Sequence, residues 1–228
     1  MYFYWDNTYI LVLLGAIISL IASASVKSTF QKYSRILNRR GLTAQDAASM
    51  ILHGAGITDV RIERVSGSLS DHYSPKEKVL RLSDSVYGQT SVAALGVAAH
   101  ECGHAIQHAR GYAPLKLRSA SVPLANIGSM LSWPLLVLGI VLGMGGLATA
   151  GVVLFTFVVA FQVITLPVEF NASRRALAIL EERGMLSMDE MSGAKKVLSA
   201  AAMTYVAAVA SSLLQLLRLV LLARRSDD

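Results

Sequence analysis

The composition of this chain is that of a membrane protein. Of its 228 residues, 54% are hydrophobic and 16% are charged, whereas charged residues make up about a quarter of soluble domains. This balance excludes a purely water-soluble or a disordered chain, and the single cysteine excludes a disulfide scaffold. The net charge is +6. Because the basic runs lie beside apolar segments, we interpret them as contacts with anionic lipid and expect no nucleic-acid partner.

The first predicted element is an apolar helix over residues 9–26, which is long enough to cross a bilayer. No basic residue precedes it, so residues 1–26 are predicted to be a retained transmembrane anchor and not a cleaved signal. Tyr2, Tyr4 and Trp5 are typical of the aromatic belt at a membrane interface.

Residues 27–118 are more polar and are predicted to fold as a small α+β part. Thr43 is a predicted N-cap, and the helix that it begins ends near Gly54. Alternating apolar residues over 60–65 then predict a short strand.

A hairpin is predicted next, over residues 68–83. Its turn is expected at 71–75 and its returning strand at 79–82. The returning strand either offers an open edge to an extended peptide or belongs to an ordinary hairpin core. A second helix then begins after an N-cap at Thr90 or Ser91.

This second helix contains a His-Glu-x-x-His motif. His100 and His104 are four residues apart, so their imidazoles lie on one face and can bind the same zinc ion. Glu101 is rotated by about 100° around the helix and can take a proton from a zinc-bound water without being a ligand. Two histidines held by hydrogen bonds in a helix core are the alternative. His and Glu are costly to bury without a metal in an alanine-rich helix, which favours zinc.

Fifty consecutive residues, 119–168, carry no charge. They are enough for two membrane-spanning helices, predicted over about 122–142 and 147–166, with a glycine-rich turn between them. The two helices would form one membrane hairpin, so the chain returns to the side from which it entered.

A catalytic zinc site needs a third protein ligand and one open position. Glu169 is the first charged residue after the uncharged stretch, and it follows the hairpin on the side of the motif helix. We therefore expect Glu169 to be the third ligand. His108, one turn beyond His104, is the alternative, although three ligands from one helix would spread over about 12 Å.

The remaining segments complete the predicted topology. Residues 169–196 are predicted as a cytoplasmic helix. Residues 197–228 either span the membrane or break near Ser211 and lie partly in its interface, because Arg218 interrupts their apolar run. The positive-inside rule places the two polar segments on the cytoplasmic side together. The expected fold class is thus a mainly α integral membrane protein with three or four transmembrane helices and a small α+β domain at the cytoplasmic membrane face.

Several motifs, in order along the chain, resemble one family. They are LSDHY at 69–73, KVLRLS at 78–83, AAHE at 98–101, GHAIQ at 103–107, LPVEF at 166–170 and ASRR at 172–175. With the N-terminal span, they resemble the bacterial membrane-bound neutral zinc metallopeptidases of the YugP type. This resemblance implies a zincin-like membrane protease with one zinc ion per chain, bound by His100, His104 and Glu169, and with Glu101 as catalytic acid and base.

That family is similar to the gluzincin membrane proteases, in which a Glu-x-x-x-Asp segment supplies the third ligand and an aspartate that orients the first histidine. Ser173 stands at the aspartate position here. The resemblance therefore implies that Ser173 or the nearby Asn171 makes a neutral hydrogen bond instead. Candidate donors to the oxyanion of the reaction are His72, Tyr73, Arg174 and Arg175.

The expected activity is hydrolysis of peptide bonds by a zinc-activated water, with Glu101 as general base. Peptides or proteins, membrane proteins among them, are the expected substrates, and the bacterial inner membrane is the expected location. Two alternatives remain open: a site-2-type protease that cuts within transmembrane segments, and a non-catalytic membrane scaffold that binds zinc.

Overall fold

The computed structural model describes residues 7–225, and side chains up to Ala223. The predicted aromatic belt at Tyr2, Tyr4 and Trp5 lies outside the described residues. The elements, in chain order, are α1 Tyr9–Tyr33, α2 Ala44–Gly54, β1 Arg61–Val65, β2 His72–Ser74, β3 Val79–Ser83, α3 Val92–Ala109, α4 Ala113–Val141, α5 Gly145–Glu182 and α6 Met188–Arg225. The described chain is thus mainly helical, with one small sheet, as the sequence predicts.

The chain divides into two compact units. Within the described residues, the first contains 7–23, 117–166 and 204–225, and the second contains 24–116 and 167–203. Four helices, α1, α4, α5 and α6, contribute residues to both units. They are also the helices of the described chain that are long and apolar enough to cross a membrane.

The first unit is packed through small residues. A Cβ atom at Gly128 would lie 2.6 Å from the Leu154 carbonyl oxygen, and one at Gly151 would lie 2.6 Å from the Ser132 carbonyl oxygen. The backbones of α4 and α5 therefore approach too closely for any larger residue there, as is common between membrane helices.

Helix α6 is continuous through Ser211, so the predicted alternative of a break at this position is wrong. Ser211 does not interrupt the helix. Its hydroxyl donates a hydrogen bond to the Gly15 carbonyl of α1 at 2.8 Å. Farther along α6, Arg218 is buried with its guanidinium over the rings of Tyr9 and Trp133. Aromatic faces stabilise a cation where water is scarce.

The long helices extend beyond the predicted spans. Helix α1 continues to Tyr33 instead of ending at residue 26, and α5 continues through Pro167 to Glu182. Helix α4 begins at Ala113, nine residues before the predicted span. Loss of hydrophobicity ends a membrane segment, but lysine, arginine and glutamate are good helix formers, so the helices themselves continue.

The sheet belongs to the second unit and has the order β1-β3-β2. Strand β1 is parallel to β3, and β2 is antiparallel to it, with His72 opposite Arg81. Of the two alternatives for residues 79–82, the open edge is therefore wrong and the hairpin core is confirmed, because β3 is the central strand and Leu80 and Leu82 are fully buried. The turn also lies later than predicted, at 75–78, so that His72 and Tyr73 belong to β2.

Both predicted helix starts in the second unit are capped as expected. The Thr43 hydroxyl accepts a hydrogen bond from the Asp46 amide at 3.2 Å, and α2 ends at Gly54. For α3, Ser91 is the N-cap, and its hydroxyl accepts from the Ala94 amide at 3.2 Å. A cap satisfies amides that the first helical turn leaves unpaired, so it fixes where α3 begins and how its later residues are aligned.

Candidate metal centre

Three potential metal ligands from two helices of the second unit meet at one point. His100 and His104 lie on α3, Glu169 lies on α5, and their ligand atoms are all within 4.8 Å of one another. Glu169 Oε2 is 3.3 Å from His100 Nε2 and 3.4 Å from His104 Nε2. Ligand atoms of a tetrahedral zinc site are about 3.3 Å apart when the bonds are about 2.05 Å long. The separations are thus those of ligands that share one zinc ion.

The state of the Glu169 carboxylate supports this fit. The residue is only 3% exposed, and its Oε2 atom has no hydrogen-bond partner among the described residues. A buried carboxylate oxygen in this condition is costly unless a cation replaces the water that it has lost. A cation between Oε2 and the two Nε2 atoms would satisfy all three, so the donor set and its surroundings fit zinc.

Hydrogen bonds on the far side of each imidazole set the orientation of the ring. His100 Nδ1 is 3.1 Å from the Ser173 hydroxyl oxygen, and His104 Nδ1 is 3.1 Å from Gln107 Oε1. Because an amide oxygen can only accept, His104 Nδ1 carries a proton, and in the neutral imidazole its Nε2 therefore directs a lone pair toward Glu169. Such partners are usual for histidines that bind metals.

Gln107 also belongs to this site, although no sequence rule predicted it there. It is fully buried, and its Nε2 donates to the Val168 carbonyl at 2.8 Å and to Asn171 Oδ1 at 3.0 Å. Asn171 Oδ1 also accepts from Arg175 Nε at 2.7 Å. Asn171 is therefore connected to His104 through Gln107, which ties α3 to α5. The available signal was a polar residue three positions after His104 on the same helix face.

The pKa of His104 and the environment of the Glu101 carboxylate describe the electrostatics of the centre. Burial of the His104 imidazole lowers its pKa, but the Glu169 and Glu101 carboxylates outweigh burial and raise the pKa above its ordinary value. Glu101 is 8% exposed. Within the part of the chain that the structure describes, its carboxylate forms no ion pair and no hydrogen bond.

Cys102 is not part of the centre. It is fully buried, and its thiol donates a weak hydrogen bond to the Ala48 carbonyl at 3.7 Å. Burial raises the pKa of the thiol far above its ordinary value, so thiolate chemistry is unfavourable there.

The remaining candidates differ in their contacts. Tyr73 of β2 reaches the motif helix, where its hydroxyl lies 2.9 Å from His108 Nδ1. The alternative third ligand, His108, is thus paired with Tyr73 and is not part of the cluster. His72 points to the opposite face of β2, where its side chain is exposed. Its Nδ1 atom lies 2.9 Å from the Ser70 carbonyl oxygen.

The two arginines that follow Glu169 also separate. Arg174 is exposed and contributes no hydrogen bond to the network of the described residues. Arg175 is half-buried, and its Nε donates a hydrogen bond to Asn171 Oδ1. Its guanidinium lies 6.0 Å from the centre of the Tyr112 ring. Arg175 therefore supports the network behind His104.

Gly103 allows α3 and α5 to approach closely enough to bring the three candidate ligands together. A Cβ atom at this position would lie 2.7 Å from the carbonyl oxygen of Ala172 and 3.1 Å from its Cα atom. Both obstructing atoms are backbone, so they cannot rotate away. Because Ala172 lies between Glu169 and Ser173, any separation of the helices here displaces both residues from the histidines.

We expect Gly103→Ala to lower the melting temperature and the zinc affinity together, with a loss of about 1–3 kcal/mol of stability from overpacking. The matched control is Gly96→Ala on the same helix, where the new Cβ would be 3.6 Å from Ala194 Cβ, an ordinary contact. That control should be neutral or should stabilise by about 0.5–1 kcal/mol. Thermal unfolding with and without zinc measures both. Equal behaviour of the two variants would contradict the role of Gly103.

Comparisons with known proteins relate most of the chain to one family. Residues 8–224 match the family described as "Putative neutral zinc metallopeptidase". The chain is 46% identical over 212 residues to "Putative membrane protease YugP" of Bacillus subtilis (strain 168), an alignment that covers 92% of this chain and 94% of that protein. No solved structure matches the chain. The resemblance stated from the motifs is thereby confirmed.

Proposed function

Since the chain belongs to the neutral zinc metallopeptidase family, we propose that it is a membrane-integral zinc protease. Its active site would be formed by His100, His104 and Glu169, with Glu101 beside them. The observation that carries the proposal is the convergence of two imidazole nitrogens on one buried, unsatisfied carboxylate oxygen, at 3.3 and 3.4 Å. Three protein ligands leave the fourth tetrahedral position open, as catalysis requires.

Each residue of the centre has a distinct task in this proposal. His100, His104 and Glu169 hold the metal, which when bound polarises a carbonyl group and lowers the pKa of a water molecule. Glu101 accepts the proton of the attacking water and delivers it to the leaving amine. Its carboxylate suits this task because no described side chain competes for it.

Tyr73 is the donor that we propose for the oxyanion. Strand alternation turns it toward α3 and turns His72 away from α3. Burial and the nearby charge of Asp59 raise the pKa of Tyr73, so its hydroxyl stays protonated at neutral pH and can donate. The hydrogen bond with His108 holds this hydroxyl one helical turn beyond His104.

Tyr73→Phe is expected to lower kcat by about hundredfold with zinc content unchanged, the loss typical of one oxyanion donor. Tyr87→Phe removes the same hydroxyl from another half-buried tyrosine and should leave kcat within about twofold, as expected for a position outside the site. Steady-state kinetics and metal analysis of both variants provide the test. A Tyr73→Phe enzyme with the wild-type kcat would return the role to one of the other candidates.

The substrate backbone is proposed to lie along β2. This strand is at the edge of the sheet and packs against α3, and an open edge can pair with an extended peptide. Since Tyr73 belongs to β2, a peptide on this edge would pass close to the proposed oxyanion donor. The open edge that the sequence left as one alternative for residues 79–82 is thus proposed for β2 instead.

We further propose that the site faces the cytoplasm at the inner membrane surface, as the positions of Lys and Arg predict. Intramembrane cleavage is the weaker alternative, because α3 is not among the apolar helices of the described chain that could span a bilayer. The scaffold is also weaker, since a structural zinc site is closed by four ligands and leaves no purpose for Glu101.

The full-length protein, purified in detergent, tests these alternatives. We expect one zinc ion per chain, cleavage of casein, loss of cleavage with a zinc chelator and recovery when zinc is added back. Zinc without cleavage of casein or of a model transmembrane substrate would establish the scaffold. Cleavage restricted to the transmembrane substrate would establish the intramembrane protease, and absence of zinc would exclude every zinc-dependent function.

A further inference from the structure

A second polar site lies away from the metal centre, in a groove of about 650 Å³ between α1 and α6. Lys32 of α1 and both Lys195 and Lys196 of α6 line it, and no carboxylate does. All three lysines are exposed, and within the described chain none forms an ion pair. Three cations in one concave site, without an anion of the protein, favour a negatively charged ligand.

The groove has a close-packed floor. Gly193 of α6 lies against Tyr33 of α1, where a Cβ atom would be only 2.7 Å from the tyrosine ring. The ring itself lies under the Lys32 ammonium, 5.6 Å from Nζ to its centre. The two helices are therefore in direct contact below the lysines, which gives the groove a defined base and not merely a cluster of surface charges.

One carboxylate near the start of α6, that of Glu190, is engaged elsewhere. Glu190 accepts hydrogen bonds from the backbone amides of Arg39 at 2.8 Å and Ser187 at 2.7 Å. These bonds lower the pKa of Glu190 against the opposing effect of burial, and they hold it at the helix start. Glu190 thus does not neutralise the lysines one to two turns later.

Hydroxyl groups supplement the cations. Thr29 of α1 and Ser192 and Ser199 of α6 line the same groove. Hydroxyls can donate to phosphate oxygens, so lysines and hydroxyls together form the donor set that a phosphate group needs.

The groove also has an apolar end. Ala200 and Met203 line it beyond Lys196, within the apolar run of α6 that begins at Val197. On α1, the uncharged run ends at Val26, close in sequence to Thr29. Both helices thus change from apolar to charged along the groove, which is the change expected at the depth of lipid headgroups.

We propose that this groove binds the headgroup phosphate of an anionic phospholipid, with the start of an acyl chain against Ala200 and Met203. A free phosphate ion shares the headgroup chemistry but has no use for the apolar end. The proposal depends on the lysine groove alone and not on the metal centre, so it stands or falls separately from the proposed protease activity.

The test is lipid binding by the full-length protein in detergent, followed by native mass spectrometry. The probes are phosphatidylglycerol, phosphatidylcholine and inorganic phosphate. The groove variant is Lys32→Gln/Lys195→Gln/Lys196→Gln. The matched control, Lys27→Gln/Arg35→Gln/Lys76→Gln, loses the same net charge at exposed positions outside the groove.

We expect phosphatidylglycerol to bind more tightly than either other probe. Its affinity should fall by about fivefold for each groove lysine removed, or about hundredfold for all three, and should change by less than about twofold in the control. If the two triple variants lost affinity for phosphatidylglycerol equally, the effect would be one of general surface charge and the proposed site would be wrong. Equal binding of inorganic phosphate, or of phosphatidylcholine, would overturn the lipid assignment.

A further variant separates loss of binding from loss of folding. Lys195→Arg/Lys196→Arg keeps both charges and should retain selective binding of phosphatidylglycerol, whereas Lys195→Gln/Lys196→Gln should lose it by about 25-fold at an unchanged melting temperature. If the arginine and glutamine variants bound phosphatidylglycerol equally well, the proposal would be wrong.

Discussion

Glu101→Gln is expected to leave zinc bound and to lower kcat for peptide hydrolysis by about two to four orders of magnitude, the contribution typical of a general acid–base residue. The substitution preserves the shape of the side chain but removes its ability to accept a proton at neutral pH. The ligands of the proposed site, His100, His104 and Glu169, are untouched. Metal analysis of the variant should therefore show full zinc content, while the same preparation should show almost no cleavage of casein.

The matched control for this prediction is Glu182→Gln. Glu182 is an exposed carboxylate at the end of α5, so its conversion to an amide makes the same chemical change outside the site. Wild-type activity and wild-type zinc content are expected. Retention of normal kcat by Glu101→Gln, with the control also normal, would remove Glu101 from the mechanism and leave the centre without an assigned base.

The elements around the candidate metal centre could be predicted because local rules specify them. The four-residue spacing of His100 and His104 fixes their common face on any helix. A different rule predicts the position of Glu169, which is that two consecutive spans return the chain to its original side. The first charged residue after the uncharged stretch was therefore the best candidate to meet the motif helix, and its Oε2 lies within 3.4 Å of both Nε2 atoms.

What the sequence did not predict depends on contacts between distant segments. Gln107 joins the site only because the Val168 carbonyl and Asn171 of α5 pack against α3. The central position of β3 likewise follows from its parallel pairing with β1, which no hairpin rule contains. The available signal was the adjacent apolar pair Val79 and Leu80, because a strand buried on both faces lacks strict alternation, but Arg81 interrupts the apolar run.

Gly103 combines both kinds of information. Its place inside the motif was visible in the sequence, but a glycine there is as compatible with a loose helix as with a tight contact. The close approach of the Ala172 backbone explains why this position requires a glycine. The structure thus links the spacing of the motif to the helix that carries Glu169, since a side chain between the two histidines would keep α5 away from both.

Glu169→Gln is expected to have the largest effect on metal binding. Glutamine has nearly the same shape, but its neutral amide oxygen is a poor zinc ligand, so zinc affinity should fall by more than the roughly 10- to 100-fold typical of an outer partner of a ligand. The metal-free protein should lose stability, because the buried Glu169 carboxylate lies against His100 and His104, which lower its pKa, and removal of one partner of a buried pair is destabilising. Zinc titration and thermal unfolding with and without zinc measure both quantities.

Two comparisons make this prediction specific. Ser173→Ala removes a partner of His100 and should cost only about 10- to 100-fold in zinc affinity. His108→Gln replaces the alternative ligand and should leave zinc affinity unchanged, because His108 is paired with Tyr73. If Glu169→Gln bound zinc like the wild type while His108→Gln did not, His108 would be the third ligand and all three ligands would come from α3. The close contact at Gly103 would then serve packing and not the assembly of a metal centre from two helices.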